Sequence, residues 1–250
     1  MADAQRDDHS DDQTPAEKGQ QGHVATTKHR LRSKHRGHPF WDFWAPVLFT
    51  IALYFGLRMF VGESRYIPSG SMLPGLKIND MLIIEKMAYR FRLPRRGEIV
   101  VFDAPYAFDP VLKADSPAPS LWRCLPANIP FVNRIPEVSP KSCDAYIKRV
   151  IGEPGDRVVV TPRGDVTING DKLNEPYVTN YCPVDAQGMS RCAPLNVTVP
   201  EGHVLVLGDN RSNSWDGRYW PGTHFLPQSA IIGRAIWRFL PWDRAGALDS

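Results

Sequence analysis

Two serines flank a glycine in the stretch YIPSGSMLPGL, residues 66–76, which is the first place to look for chemistry. Its prolines and glycines make a poor helix and a poor central strand, so we expect a turn. A serine hydroxyl on such a turn becomes a nucleophile when a neighbouring base takes its proton. The stretch is therefore either a plain linker or the site of a nucleophilic serine, Ser69 or Ser71.

Histidine is not the expected base for such a serine. Two histidines, His203 and His224, follow residue 62, and neither has the setting of a Ser-His-Asp triad. The sequence also contains no GxSxG or HExxH motif. Lysine is the remaining option for activating a serine.

Lys148 is the lysine that the sequence singles out, in the segment DAYIKRVIGEPGD. On a strand it shares a face with Tyr146 and Val150. If that face is the inner one, burial disfavours the ammonium ion and lowers the lysine pKa, so that the amine can accept a proton. A solvated strand lysine is the alternative, because lysines are rarely buried.

A second dense group of polar residues follows an apolar run in LGDNRSNSWDGRYW, residues 207–220. The polar residues are Asp209, Asn210, Arg211, Ser212, Asn213, Ser214, Asp216 and Arg218. They predict either a turn stabilised by local side-chain hydrogen bonds or a set of groups that fixes catalytic side chains.

The composition excludes some classes of function. The chain has 250 residues, 42% hydrophobic and 23% charged, with a net charge of +3, which is ordinary for a globular protein. From residue 62 onward it is near neutral, so no nucleic-acid partner is expected. No CxxC occurs and no histidine has zinc-ligand spacing, so no metal and no cofactor are expected.

The apolar run FWAPVLFTIALYFGLRMFV, residues 43–61, contains one charge, Arg58. Nineteen helical residues rise about 28 Å, which predicts a transmembrane helix over 41–62. The basic run KHRLRSKHR, residues 28–36, places residues 1–40 in the cytoplasm and the rest in the periplasm, with nucleic-acid binding as the rival explanation of these charges. A buried helix and a cleaved secretory signal are the alternatives. The acidic, polar residues 1–27 predict disorder.

We expect residues 63–242 to form a mostly β domain on the far side of the membrane. The predicted strands are 97–105, 145–152, 156–162, 165–170, 202–209 and 230–240. Asn169-Gly170 predicts a hairpin turn. A Pro-rich insertion at 105–144 is expected to be functional or disordered, and residues 243–250 form a C-terminal tail.

All four cysteines follow the apolar run, which fits an oxidising compartment. Four cysteines allow three pairings. Local pairing, Cys182 with Cys192 and Cys124 with Cys143, closes the shortest loops and is our prediction. Free buried thiols are the alternative.

Several blocks occur together in one order: the apolar run, PSGSMLPGL, RGEIVVF, YIKRVIGEPGD, VTINGDKLNEPY, LGDNRSNSWDGR and IIGRAIWR. In this order the chain resembles bacterial type I signal peptidases, the membrane-bound peptidases of the Ser-Lys class. The resemblance implies a β-sheet catalytic domain anchored in the inner membrane. It also implies a serine endopeptidase that removes N-terminal signal peptides from exported preproteins, with signal peptides and the lipid bilayer as partners.

The resemblance implies roles for individual residues. Ser71 would be the nucleophile, Lys148 the general base, and Ser69 with the Ser71 amide the oxyanion hole. Ser214 would orient the lysine amine. Charge pairs that support the site would involve Asp209, Arg211, Asp216 and Arg218, and the substrate pocket would be lined by Ile67, Pro68, Tyr146 and Ile147.

The chain departs from the family pattern at Ser212, where an acid is common, and at Gly217, where a serine is frequent. The departures and the insertion leave two alternatives open: a Ser-Lys peptidase for a specialised conjugation or pilus substrate, and an inactive peptide-binding domain. A further hypothesis gives the domain an apolar rim that rests on lipid, with core packing as its alternative. The rim residues would be Met72, Leu76, Trp220, Trp237, Phe239 and Trp242.

Overall fold

The computed structural model describes residues 39–60, 62–115, 145–187, 189–190 and 192–248. The predicted disorder of residues 1–27 and the predicted Cys124–Cys143 pair lie outside these residues.

The first element is the helix α1, Pro39–Phe60. Pro46 lies inside it, and Thr50 Oγ1 donates a hydrogen bond of 2.8 Å to the Pro46 carbonyl. The chain divides into two compact units within this helix, between Ala45 and Pro46. The prediction of a membrane-spanning helix over 41–62 is not confirmed. No helix in the described ranges combines the length and apolarity needed to cross a bilayer.

The remaining elements are two antiparallel sheets with short helices between the strands. The strands are β1 Gly62–Tyr66, β2 Met81–Glu85, β3 Ile99–Asp103, β4 Ala145–Gly152, β5 Arg157–Val160, β6 Val166–Ile168, β7 Asp171–Lys172, β8 Leu195–Thr198, β9 His203–Leu207, β10 Leu226–Pro227, β11 Ile231–Leu240 and β12 Gly246–Ala247. The short helices are α2 Ala88–Phe91 and α3 Pro110–Asp115, with 3₁₀ turns at Pro105–Ala107, Arg211–Asn213, Gln228–Ala230 and Trp242–Arg244.

The larger sheet has the order β1-β2-β11-β3-β4-β9-β10, with β12 paired to β11, and the smaller sheet has the order β7-β6-β5-β8. The mostly β fold class is therefore confirmed. Each of the six predicted strands contains an observed strand, because β-branched residues bounded by Gly, Pro and Asp identify strands well. Asn169 and Gly170 have φ of 54° and 99° and join β6 to β7, as their types predict.

The hydrophobic core lies on both faces of the larger sheet and continues under the smaller one. Along β4, Val150 packs into one cluster and Ile147 into another, which is the alternation expected of a strand. Met72 and Leu76 are 0% exposed and Trp220 is 2% exposed. The lipid-rim hypothesis is therefore wrong for these three residues, because their side chains complete the core.

The structure differs from the prediction at two boundaries, the start of the insertion at residue 105 and the start of the C-terminal tail at residue 243. Residues 105–115, the start of the predicted insertion, form a 3₁₀ turn and α3. The buried Asp109 fixes them, because its Oδ2 accepts hydrogen bonds from the amides of Gly222 (2.9 Å) and Thr223 (3.0 Å). Beyond residue 242, the strand β12 adds to the edge of β11.

Candidate active site

Ser71 lies in the turn between β1 and β2. Backbone hydrogen bonds close the base of this turn, from the Ile67 amide to the Asp80 carbonyl (2.9 Å) and from the Asn79 amide to the Ile67 carbonyl (3.0 Å). The buried side chain of Met72 anchors its middle. The turn is thus held to the core, and Ser71 is only 7% exposed.

Lys148 lies on β4, between β3 and β9 in the larger sheet. It is 3% exposed, so the alternative of a solvated strand lysine is wrong. Its Nζ donates hydrogen bonds to Ser71 Oγ (2.8 Å) and to the carbonyl of Ile147 (2.9 Å). The structure therefore brings together two side chains that are 77 residues apart in sequence.

Burial is the main influence on the charge of Lys148. It lowers the pKa of the ammonium from 10.5 to about 8. The carboxylates of Asp216 and Asp209 oppose this change, and the guanidinium of Arg218 adds to it. A substantial fraction of neutral amine is therefore present at mildly alkaline pH.

The two other serines assigned to the site differ in position. Ser69 is exposed, and its Oγ lies 3.4 Å from Ser71 Oγ. Ser214 is 8% exposed, and its hydroxyl makes no hydrogen bond of standard geometry within the part of the chain that the structure describes, although it lies near enough to the Asp216 carboxylate to help lower the pKa of that group. The hydrogen bond from Lys148 to Ser214 that the resemblance implies is therefore not present in this structure.

Residues of the segment after β9 form buried charge pairs with partners that the sequence did not identify. Asp209 receives two hydrogen bonds from Arg149, Nε to Oδ1 at 2.9 Å and Nη2 to Oδ2 at 2.8 Å. Arg211 pairs with Glu175 through both carboxylate oxygens. Arg149 and Glu175 were missed because neither is near its partner in sequence. A signal for Arg149 existed in its strand position, since it occupies the face opposite to Lys148.

Asp216 and Arg218 pair with each other, as their spacing suggests, through bonds of 2.8 and 2.9 Å. Burial alone would raise the pKa of Asp216, but the paired guanidinium holds that pKa below its ordinary value. Asp216 Oδ2 also accepts a hydrogen bond of 3.0 Å from the amide of Gly208. This buried pair therefore fixes the backbone beside the dyad.

The segment after β9 contacts the turn that carries Ser71. The backbone N–H of Asn210 donates to the Ser71 carbonyl (3.1 Å), and the side-chain Nδ2 of the same residue donates to the Gly70 carbonyl (3.0 Å). Ser212 Oγ donates to Asn210 Oδ1 (3.1 Å), so the residue at this departure from the family pattern orients Asn210. At the other departure, Gly217, a Cβ would lie 2.5 Å from the His224 carbonyl oxygen.

The residues assigned to the substrate pocket are divided between core and surface. Ile67 and Ile147 are buried in one hydrophobic cluster, whereas Pro68 is exposed. Tyr146 is half-buried and contacts the ring of Trp215, with ring centroids 6.0 Å apart. The sequence did not indicate Trp215 as a neighbour of the site.

Comparison with known proteins assigns the chain to a family. A family model described as "Signal peptidase, peptidase S26" matches residues 40–242. A signal peptidase I of Leptolyngbya laminosa is 42% identical over 200 residues, covering 80% of this chain and 79% of that protein. A probable signal peptidase I-2 of Synechocystis is 43% identical over 199 residues, covering 80% and 72%.

A crystal structure of a signal peptidase I from Enterococcus faecalis is 25% identical, with a TM-score of 0.34, covering 57% of this chain and 97% of that one. That TM-score is too low to bear on the fold. The family match and the relatives agree with each other over most of the chain. The chain therefore belongs to the signal peptidase family, peptidase S26.

Proposed function

We propose that this protein is a serine endopeptidase that cleaves signal peptides from exported preproteins, with Ser71 as nucleophile and Lys148 as general base. One observation carries the proposal: Lys148 Nζ lies 2.8 Å from Ser71 Oγ, and both side chains are buried. The substrate class comes from relatives named signal peptidase I.

The reaction begins from the neutral amine of Lys148, which the lowered pKa makes accessible. Ser71 then donates its proton along the 2.8 Å contact while Oγ attacks the scissile carbonyl carbon. When the C–N bond breaks, the Lys148 ammonium gives the proton to the leaving amine. In deacylation a water gives a proton to Lys148 while its oxygen attacks the acyl carbon. The ester C–O bond then breaks, and Lys148 returns the proton to Ser71 Oγ along the same contact.

Two donors are proposed to stabilise the oxyanion, the Ser71 amide and the Ser69 hydroxyl. The 3.4 Å distance between Ser69 Oγ and Ser71 Oγ supports the assignment of Ser69, because it places the hydroxyl beside the reacting atom. Donors of this kind each contribute about 3–4 kcal/mol to transition-state stabilisation. We assign Ser214 to orienting the amine of Lys148, a role supported by its burial against Gly208, which packs on both the Ser214 side chain and the Ser71 carbonyl.

The buried charge pairs are proposed to act as a rigid support rather than to contact substrate. Asp209, Arg211, Asp216 and Arg218 are each at most 3% exposed. The substrate pocket is assigned to Ile67, Pro68, Tyr146 and Ile147, and a shallow pocket there would select small side chains by excluding larger ones.

We also propose that α1 attaches the enzyme to a lipid bilayer, with the N-terminus cytoplasmic and the catalytic domain periplasmic. Its exposed apolar side chains support this, because water disfavours such a surface. They include Phe40, Trp41, Phe43, Trp44, Leu48, Phe49, Ile51, Leu53, Tyr54 and Phe55. Recovery of the protein in the membrane fraction after carbonate washing would support attachment, and release of the full chain into the wash would contradict it.

The catalytic proposal is tested with purified full-length enzyme and a preprotein, with the new N-terminus identified by mass spectrometry. Ser71→Ala and Lys148→Ala should each abolish cleavage without unfolding the domain. Ser64→Ala and Lys172→Ala, at exposed positions on β1 and β7, are matched controls that should leave the rate unchanged. Full activity in either dyad variant would refute the assignment. Failure of the wild-type enzyme to cleave any preprotein, despite acylation of Ser71 by a β-lactam-type probe, would refute the substrate class.

A further inference from the structure

The disulfide Cys182–Cys192 is built into the interior beside the charge pairs of the site. The predicted pairing is confirmed, and the two residues are 3% and 6% exposed. Their sulfur atoms lie 3.4 and 3.6 Å from the carbonyl oxygen of Arg211. The proposed reaction does not use this disulfide, and its position calls for an explanation other than the closing of a surface loop.

Arg218 connects the disulfide to the carboxylate of Asp216. Its Nη1 lies 3.8 Å from Cys182 Sγ, and its Nη2 donates to the Arg211 carbonyl at 2.9 Å. The same guanidinium makes the two hydrogen bonds to Asp216. One planar group therefore contacts the disulfide on one side and the Asp216 carboxylate on the other, and its side chain is 0% exposed.

Asp216 continues the connection to the catalytic turn. Its Oδ2 accepts a hydrogen bond from the backbone amide of Gly208. Gly208 packs so closely against the Ser71 turn that an added Cβ would lie 2.5 Å from the carbonyl oxygen of Ser71. Asn210, between Gly208 and Arg211, donates to that same carbonyl. Hydrogen-bonded and packed atoms therefore run without a break from Arg218 to the backbone of Ser71.

We propose that the Cys182–Cys192 disulfide is a positioning element of the active site, acting through Arg218, so that the enzyme reaches full turnover only when these two cysteines are oxidised. The inference rests on the proposed function of Ser71 and Lys148. A dithiol reductant breaks the S–S bond, supplies two electrons and two protons to form two thiols, and itself becomes a disulfide. The two thiols must move apart, and they displace the Arg211 carbonyl and the Arg218 guanidinium that pack on them.

The first experiment compares the wild-type full-length enzyme with the Cys182→Ala/Cys192→Ala variant in preprotein cleavage. We expect kcat to fall by about 10- to 100-fold, as for other residues that orient catalytic groups, with KM little changed. The acid limb of the pH–rate profile should move to higher pH, because water that reaches Lys148 relieves the burial that lowers its pKa. Met189→Ala is the matched control, since Met189 lies in the same loop and is 69% exposed.

A double-mutant cycle separates positioning from simple stabilisation. If the disulfide acts through Arg218, removing it in the Arg218→Lys variant should cost far less in kcat than removing it from the wild type. Additive effects, or an unchanged kcat and pH profile in Cys182→Ala/Cys192→Ala despite a lower Tm, would overturn the proposal.

Should the disulfide-free variant not fold, the folded enzyme is reduced directly. In a Cys124→Ala/Cys143→Ala background, dithiothreitol should lower the cleavage rate as two thiols appear, and reoxidation should restore it. Loss of the disulfide without loss of rate would overturn the proposal. If the oxidised wild type cleaves no preprotein, the proposed function has failed, and the same comparison made on acylation of Ser71 by the β-lactam-type probe still decides the role of the disulfide.

Discussion

Arg149 and Asp209 form a buried two-point ion pair that joins the central strand β4 to the segment after β9. The bonds measure 2.9 and 2.8 Å, and the side chains are 5% and 1% exposed. The guanidinium also lies 3.9 Å from the centroid of the Tyr177 ring. Lys148 directly precedes Arg149 on β4, so the two side chains project from opposite faces of the strand. Lys148 belongs to the dyad, and Arg149 belongs to the ion pair that supports it.

Removal of Arg149 should destabilise the fold strongly. Arg149→Ala leaves the Asp209 carboxylate buried and unpaired, which costs about 3–5 kcal/mol in comparable pairs. Urea unfolding measures the change, and Arg157→Ala, at an exposed position on β5, is the control, expected within about 0.5 kcal/mol of wild type. Equal stability of the two variants would contradict a structural role for the pair.

The rate of cleavage should rise with pH as Lys148 loses its proton. Because burial lowers its pKa to about 8, kcat/KM should increase along a one-proton curve with a midpoint near that value and then level off. A pH–rate profile with a preprotein or peptide substrate measures the midpoint. A profile that is flat across this range would show that another group, or none, supplies the base.

Lys148 should also lower the stability of the enzyme at neutral pH. Its pKa is about 8 when folded and 10.5 when unfolded, so between these values the unfolded chain binds more protons and stability rises with pH. Below about pH 8 the buried charge is fully unfavourable. Lys148→Met should therefore raise the unfolding free energy by roughly 3 kcal/mol near pH 7, with a smaller gain near pH 10. The opposite trend with pH would contradict burial as the cause.

Gly208 should tolerate no side chain. A Cβ there would meet the Ser71 carbonyl oxygen at 2.5 Å and would also collide with the side chain of Ser214. Gly208→Ala should thus lower kcat by about 100-fold through displacement of Ser71. Gly246→Ala is the control, because no atom lies within 4 Å of its added Cβ. Cleavage at the wild-type rate by Gly208→Ala would mean that the Ser71 turn is not held by this contact.

Arg244, beyond the end of the family match, should help to hold the turn that carries Ser71. It pairs with the buried Asp80, whose Oδ2 also accepts a hydrogen bond of 2.8 Å from the Lys77 amide at the end of that turn. Arg244→Ala should lower both kcat and Tm, whereas Asp243→Ala, at an exposed neighbour, should change neither. If a chain ending at Trp242 matched the wild type in both measurements, this role would be excluded.

Much of the strand pattern could be predicted because it is local. The alternating side-chain directions of a strand over 145–152 predicted that Lys148 and Ile147 lie on opposite faces, and the structure agrees. The turn at Asn169-Gly170 followed from the two residue types that adopt positive φ most readily. Strands β1, β2, β8, β10 and β12 were not predicted. In β1, Glu63 is buried and pairs with Arg65 and Lys86, a pattern that reads as a polar loop.

The sequence by itself determined which residues are candidates for the chemistry, because a serine on a glycine turn and a lysine on an apolar strand are recognisable from neighbours alone. Only the tertiary structure decided that Ser71 and Lys148 meet at 2.8 Å, that Asp209 pairs with Arg149 and Arg211 with Glu175, and that Trp220 is core. The physical reason is the distance along the chain over which each property is set. Backbone preference and side-chain alternation depend on a few adjacent residues, whereas burial and ion-pair partners depend on which distant strands come to lie side by side.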